Sequence, residues 1–278
     1  MGEDNMVENY SVLMSVYHKE KAQYLREAMQ SIFDQTILTD DFVLICDGPL
    51  TNELDDVINE MQIKYNDVLR VHRLKQNKGL GNALNIGLNL CKNELVARMD
   101  SDDISIRNRC ELQIKEFETH PALALVSGTV LEFVDTPNKA LGVRKLPETN
   151  KEIIEFSKKR NPFNHPATMF KKSLVQIAGG YNERFHLFED YYLWIRMLMC
   201  GFEGSNLSKN LVYMRTPSDM YVRRGGVKYA REMLRFHYWM LCNNWSNISD
   251  YIFGSLPHAI ICILPNNIRK IIYEKLHS

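Results

Sequence analysis

The chain is 278 residues long, 45% hydrophobic and 24% charged, with 34 basic and 34 acidic side chains that cancel. That length can bury a sizeable core, and the composition, free of repeats and low-complexity stretches, excludes a disordered or fibrous chain. Zero net charge names no partner, but the balance is uneven: from Tyr221 onward eight basic residues stand against three acidic ones, and the rest of the chain carries the compensating negative charge.

Ser11 to Val16 is a short apolar run without helical spacing and predicts a buried strand. Tyr24, Leu25, Ala28, Met29, Ile32 and Phe33 then form a helical stripe, and Phe42 to Cys46 is a second strand ended by Asp47-Gly48-Pro49. Leu54, Val57, Ile58 and Met61 mark the next helix, Val68 to Leu74 a third strand, Asn82 to Cys91 a helix, and Glu94 to Met99 a fourth strand running into Asp100. This βαβαβαβ order predicts an α/β fold with a mainly parallel sheet and helices on both faces. Ligands of such sheets bind beyond the carboxyl ends of the strands. There the sequence places three polar segments: Ser15 to Lys19, Asp47-Gly48, and Asp100 to Asp103.

The second half is less regular. A strand is expected over Ala122 to Val134, a polar loop to Asn150, a helix over Tyr191 to Cys200 stopped by Gly201, and helices near Val227 to Cys242 and Asn267 to Leu276. No Pro/Gly/Ser-rich linker divides the chain. The expected organisation is one catalytic domain over residues 1–220 and a basic helical C-terminal tail over residues 221–278.

Six cysteines, at positions 46, 91, 110, 200, 242 and 262, show neither a C-x-x-C pair nor a metal-finger spacing and read as free thiols of a reducing compartment. Residues 1–9 are acidic and lack the apolar core of a secretory signal. No run reaches the roughly 20 apolar residues that span a bilayer. The expected location is the cytoplasm.

Two segments carry candidate chemistry. In Asp100-Ser101-Asp102-Asp103, directly after a buried strand, carboxylates at i and i+2 of a turn can address one pocket. Mg²⁺ or Mn²⁺ takes one or two such carboxylates and completes its shell with phosphate oxygens and water. The plain alternative is an Asp-rich turn capping a helix that starts near Ile106. In Phe188-Glu189-Asp190-Tyr191-Tyr192-Leu193-Trp194, two carboxylates open an amphipathic helix. The helix dipole alone accounts for acidic residues there, and the functional reading is a general base that takes a proton from an acceptor hydroxyl.

With these residues in place, the chain resembles glycosyltransferase family 2, the inverting nucleotide-sugar transferases with the GT-A fold. The resemblance covers about Ser11 to Gly226 and rests on five motifs in order. Ser11 to Lys19 is similar to the family's first strand and nucleotide loop, which implies Ser15 and Tyr17 near the base. Ile45-Cys-Asp-Gly-Pro49 resembles the motif usually written D-D-G-S and implies that Asp47 contacts a uracil, although Cys46 replaces the first Asp and Pro49 the Ser. Asn77 to Asn85 matches N-x-G-x-x-x-A-x-N and implies nucleotide contacts from Asn77 and Lys78. Asp100 and Asp102 take the D-x-D positions, with Asp102 on the metal and Asp100 assisting on metal and donor. Asp190 takes the position of the catalytic base, with Glu189 before it.

Asn161 to Phe170 and Asp219 to Gly226 are most similar to bacterial transferases of O-antigen, capsule and exopolysaccharide assembly. The resemblance implies a UDP-sugar donor and an acceptor sugar on a lipid diphosphate, and His165 is the candidate acceptor-site residue. Arg223 and Arg224, beside a Gly-Gly pair, are candidates to close over the diphosphate as bidentate donors. In the tail, Ile268, Ile271, Ile272 and Leu276 form an apolar stripe with Arg269, Lys270 and Lys275 beside it. That pattern predicts a helix lying in the anionic inner face of the cell membrane, or one packed on the catalytic domain.

Two other readings compete. A sugar-nucleotide pyrophosphorylase needs a Gly-rich phosphate loop after the first strand, and Val16-Tyr-His-Lys-Glu20 has no glycine. A non-catalytic sugar-binding protein on the same fold has no need of Asp100, Asp102 and Asp190 together. Nucleic acid is not an expected partner, because the basic surplus is confined to the tail and no recognised binding module is present.

Overall fold

The computed structural model describes residues 9–137, 139–185, 187–216, 225–265 and 269. Its centre is a nine-stranded mixed sheet in the order β3-β2-β1-β4-β8-β6-β9-β5, with β7 paired to β6. Strands β1 (Tyr10–Val16), β2 (Asp41–Cys46), β3 (Leu69–Arg73) and β4 (Leu95–Asp100) are mutually parallel, as the alternating pattern predicts. Each connection carries a helix: α1 (Ala22–Phe33), α2 (Asn52–Lys64) and α3 (Leu80–Leu90). β2 is buried at all six positions and β1 at six of seven, because helices cover both faces. Along β1 the side chains alternate between two cores. Val12, Met14 and Val16 meet Leu25, Ile32 and Ile58 of α1 and α2, while Leu13 meets Ala83 and Leu84 of α3.

The order reverses at β1, whose neighbours are β2 on one side and β4 on the other. Such a switch point opens a crevice at the carboxyl ends of the strands. In register, Ser15 lies between Ile45 and Asp100, so the ends of three strands converge on one place.

The second half turns the sheet mixed. β8 (Met169–Lys171) runs antiparallel between β4 and β6 (Leu123–Phe133), and β9 (Glu203–Arg215) lies parallel to β6. Three details differ from the sequence reading. The polar segment before Asn150 contains β7 (Ala140–Arg144), an edge strand exposed or half-buried along its whole length, whose residues therefore show no apolar run. The helix expected at Ile106 begins three residues later as α4 (Arg109–Thr119), because Ile104–Ser105 first pair with β9 as β5. Glu189 and Asp190, placed just before the expected helix start at Tyr191, lie inside the first turn of α7 (Glu189–Met199), which follows α5 (Asn150–Ser157) and α6 (Lys172–Ile177).

Beyond the sheet, α8 (Val227–Cys242) and α9 (Leu256–Ile263), joined by helical turns over residues 248–255, pack on α7. Phe185, Phe188, Tyr191 and Ile195 share a core with Ala230, Met233, Phe236, Ala259 and Cys262. The boundary at 220/221 falls within residues 217–224, and most of the helix expected over 267–276 falls within 266–268 and 270–278, all outside the described residues. Arg269 is described: it is 1% exposed, donating from Nη1 to the Cys262 carbonyl at 2.8 Å, a contact that suits the packed alternative for this residue. Its guanidinium fills the space where a side chain on Gly225 would stand. Salvage of a backbone carbonyl at the end of α9 explains why a basic residue goes inside here.

Candidate active site

One end of the crevice is built from the loops after β1 and β2. Asp47 is buried at the end of β2, and its carboxylate accepts from the backbone N–H of Lys78 at 2.7 Å and of Gly79 at 3.0 Å. Asn77 completes the turn, donating from Nδ2 to the Asp47 carbonyl at 3.1 Å and accepting at Oδ1 from the Gly79 N–H at 3.2 Å. Gly48 is required at this junction. Its φ is +91°, and a Cβ would stand 2.7 Å from the Asn77 nitrogen. Asp47 and Asn77 therefore shape the loop that opens α3, and the side chain of Lys78 is left exposed on it. Ser15 is half-buried in the strand, and Tyr17, 40% exposed, stands just beyond it against the His18 ring.

The acidic turn follows β4, across β1 from this loop. Ligand oxygens of Asp100, Asp102 and Asp103 all fall within 4.8 Å of one another. Arg98, buried within β4, grips Asp100 with both ends of its guanidinium, Nη1 donating to Oδ2 at 2.8 Å. Asp103 is buried. Its Oδ1 accepts the Arg215 backbone N–H at 2.7 Å, and its Oδ2 has no hydrogen-bond partner among the described residues. Ser101 donates to Glu20 Oε2 at 2.9 Å, which brings a fourth carboxylate to the cluster. Burial, then the neighbouring Asp100 and Glu20, pushes the Asp102 carboxyl up to about 7. An all-oxygen donor set, an orphaned buried oxygen and a carboxylate crowded by like charges together fit a hard divalent cation such as Mg²⁺ or Mn²⁺.

The other end is built on α7. Asp190 sits in its first turn, and Asn161 donates from Nδ2 to Asp190 Oδ2 at 2.8 Å, fixing the carboxylate's orientation. Glu189, also in the first turn, lies over the start of α3: a Cβ on Gly81 would be 3.8 Å from its Cγ. Tyr181 joins the two ends. It is tied to Asn85 of α3 by two hydrogen bonds, Asn85 Nδ2 donating to its carbonyl at 2.7 Å and its own N–H donating to Asn85 Oδ1 at 2.8 Å. Burial foremost pushes its phenol upward; Arg98 opposes the shift, while Asp190 and Asp100 both reinforce it. The two carboxylates therefore lie in electrostatic reach of one buried ring.

His165 Nε2 lies 2.9 Å from the Tyr181 hydroxyl, and the imidazole ring meets Trp194 edge-on at 5.9 Å. Burial and the nearby Arg98 hold its pKa well below 6.5, so it is neutral at pH 7. It sits between the two ends, engaged with Tyr181. Arg223 and Arg224 lie outside the described residues. The sequence reading did not single out Arg98, Glu20, Asn161 or Tyr181. Arg98 had a signal, a lone charge within an apolar strand, where only a buried partner such as Asp100 can satisfy it. Tyr181 had none, since its contacts with Asn85 and His165 span 96 and 16 residues.

Comparison with known proteins bears on the family and the fold. Residues 11–177 match the family described as glycosyl transferase family 2. Over 267 residues, 96% of each chain, the sequence is 38% identical to the UDP-Gal:alpha-D-GlcNAc-diphosphoundecaprenol beta-1,3-galactosyltransferase of Escherichia coli. It is 34% identical over 266 residues to the amylovoran biosynthesis glycosyltransferase AmsE of Erwinia amylovora, covering 96% of this chain and 98% of that one. Among solved structures, the mannosyltransferase PcManGT from Pyrobaculum calidifontis, in complex with GDP-Man and Mn²⁺, superimposes with a TM-score of 0.66 at 17% identity, over 95% of this chain and 72% of that one. TarS 1-349 of S. aureus in complex with UDP-GlcNAc gives a TM-score of 0.61 at 18% identity, over 84% and 66% respectively. At such identities these structures bear on the fold, which is GT-A. The motifs in chain order, their convergence at one crevice and the matching residues 11–177 lead to one conclusion: the chain belongs to glycosyl transferase family 2.

Proposed function

We propose that the enzyme transfers a sugar from a UDP-sugar to a hydroxyl of a lipid-linked acceptor in bacterial surface polysaccharide synthesis, with metal dependence and inversion at the anomeric carbon. The observation that carries this reading is a cluster of three carboxylates, Asp100, Asp102 and Asp103, of which Asp100 lies within electrostatic reach of the same buried Tyr181 as the Asp190 carboxylate. The Escherichia coli relative, named for a UDP-galactose donor and a diphosphoundecaprenol acceptor and similar over 96% of the chain, supports the donor and acceptor classes. The Mn²⁺ in the PcManGT complex supports the metal.

Asp102, with Asp100 and Asp103 beside it, would hold a divalent cation, which when bound neutralises the charge of the diphosphate leaving group. The loop from Asn77 to Gly79, with Ser15, Tyr17, Asp47 and Lys78, receives the nucleotide, and Arg223 and Arg224 are the proposed cations for the diphosphate. Asp190 accepts the acceptor's hydroxyl proton as the new O–C1 bond forms and the C1–O bond to phosphate breaks, with Glu189 its neighbour. His165, neutral and bonded to Tyr181, orients the acceptor side. The transition state has oxocarbenium character, as in inverting glycoside hydrolysis. The work takes place on the cytoplasmic face of the cell membrane, where such an acceptor is held. Among the described residues no helix is long and apolar enough to cross a membrane. A panel of nucleotide sugars scored for hydrolysis without acceptor tests the donor side. Turnover of a UDP-sugar that Mn²⁺ or Mg²⁺ restores after chelation is expected; metal-independent turnover, or preference for a GDP-sugar, would overturn the donor reading.

A further inference from the structure

Residues 248–265 contain a single charged side chain, Asp250, and it is turned inward, 3.3 Å from Lys159 Nζ. The apolar side chains around it do not all follow it inside. Ile248, Ile252, Leu256, Ile260 and Ile263, spaced by four, four, four and three residues, are all exposed, and Phe253 beside them is 78% exposed. That spacing is one stripe along a helix. The opposite stripe, Ser255, Ala259 and Cys262, is buried against α8. The result is a ridge of six large apolar side chains exposed together on the surface of the domain. Continuous apolar surface of this kind marks an interaction site.

Cations border the ridge. A Cβ on Gly254 would lie 3.3 Å from Lys159 Cγ, so the Lys159 stem runs under the turn that carries Phe253. Arg160, also exposed, is close enough to His258 of α9 to help keep that imidazole below its ordinary pKa, after burial itself. The next residue, Asn161, is the one that holds Asp190. The ridge and its cations thus border the acceptor end of the active site.

We infer that the 248–263 ridge is the surface by which this enzyme lies on an anionic membrane, with Phe253 and Ile260 entering the acyl boundary and Lys159 and Arg160 at the headgroups. An apolar stripe without exposed charge inserts at the interface, and nearby Lys and Arg side chains add attraction to an anionic leaflet. A second copy of the chain fits less well, because a two-fold contact through the ridge would bring both Lys159/Arg160 pairs together. The placement next to Asn161 presents the Asp190 end of the site to the bilayer. This inference rests on the lipid-linked acceptor reading, and it moves the expected membrane contact from residues 267–276 to α9 and the turns before it.

Flotation of the full chain with phosphatidylglycerol–phosphatidylcholine vesicles, without donor or acceptor, tests it. The wild type is expected to bind, more weakly at high salt or without phosphatidylglycerol. The F253D/I260D double variant should bind at least about tenfold more weakly, since both apolar anchors are lost and two carboxylates face the anionic leaflet. Both side chains are exposed, so its circular dichroism and its transfer to a water-soluble acceptor analogue should match the wild type. Arg160→Glu should weaken binding to the anionic vesicles only. Absence of wild-type binding, equal binding by the double variant, or a wild-type dimer that the double variant dissociates would overturn the inference. Vesicle binding without any transfer activity would instead count against the proposed function.

Discussion

Asp102→Asn is expected to abolish the metal-dependent part of donor binding while leaving the fold intact. Changing a group that merely orients a metal ligand costs about 10–100-fold in metal affinity, so loss of the ligand itself should cost at least about 100-fold. The stability effect has the opposite sign. Burial and like charges hold the Asp102 carboxyl near 7, above its ordinary value of 3.8, so the metal-free fold loses stability as pH rises through that range. A neutral amide removes that repulsion, and the metal-free variant should melt no lower than the wild type at pH 8. Titration calorimetry with UDP, with and without Mn²⁺, reads the first effect, and scanning calorimetry the second. Unchanged metal-dependent affinity in the variant would remove Asp102 from the metal site.

Asp190→Asn should separate binding from chemistry. The amide can still accept from Asn161 at the 2.8 Å contact, so the helix start and the donor end are preserved. UDP affinity with metal should stay within about twofold, while transfer falls by about 10² to 10⁴, the usual cost of a missing general base. A variant that transfers within a few-fold of the wild type would assign the proton to another group, with Glu189, its neighbour in the first turn of α7, the next candidate.

The parts of the site that could be read in the sequence are those written in one stretch of chain. β1, β2 and β4 are mainly apolar runs because both faces are covered, and the polar residues that follow them mark the carboxyl edge of the sheet. Asp47, Asn77 and the acidic turn are legible for that reason. What the sequence hides is assembled across the fold. Arg98 with Asp100 and Ser101 with Glu20 decide which carboxylates are already paired, and Asn161 with Asp190 joins residues 29 apart. β7 and β5 escaped because an exposed edge strand and a two-residue strand leave no periodicity to detect. The tail is the sharpest case. Charge and stripe left Arg269 either at a membrane or packed on the domain; its guanidinium fills the space over Gly225, while Ile248, Ile252, Phe253 and Ile260 are exposed.

The stereochemistry of transfer tests the central claim most directly. With the α-linked nucleotide sugar that the enzyme accepts, the one-bond carbon–hydrogen coupling at the new anomeric centre, recorded by NMR during turnover, distinguishes the two outcomes. A single displacement with Asp190 as base gives a β-linked product from the first turnover. An α-linked product would contradict that mechanism and require a different arrangement of nucleophile and base in this crevice.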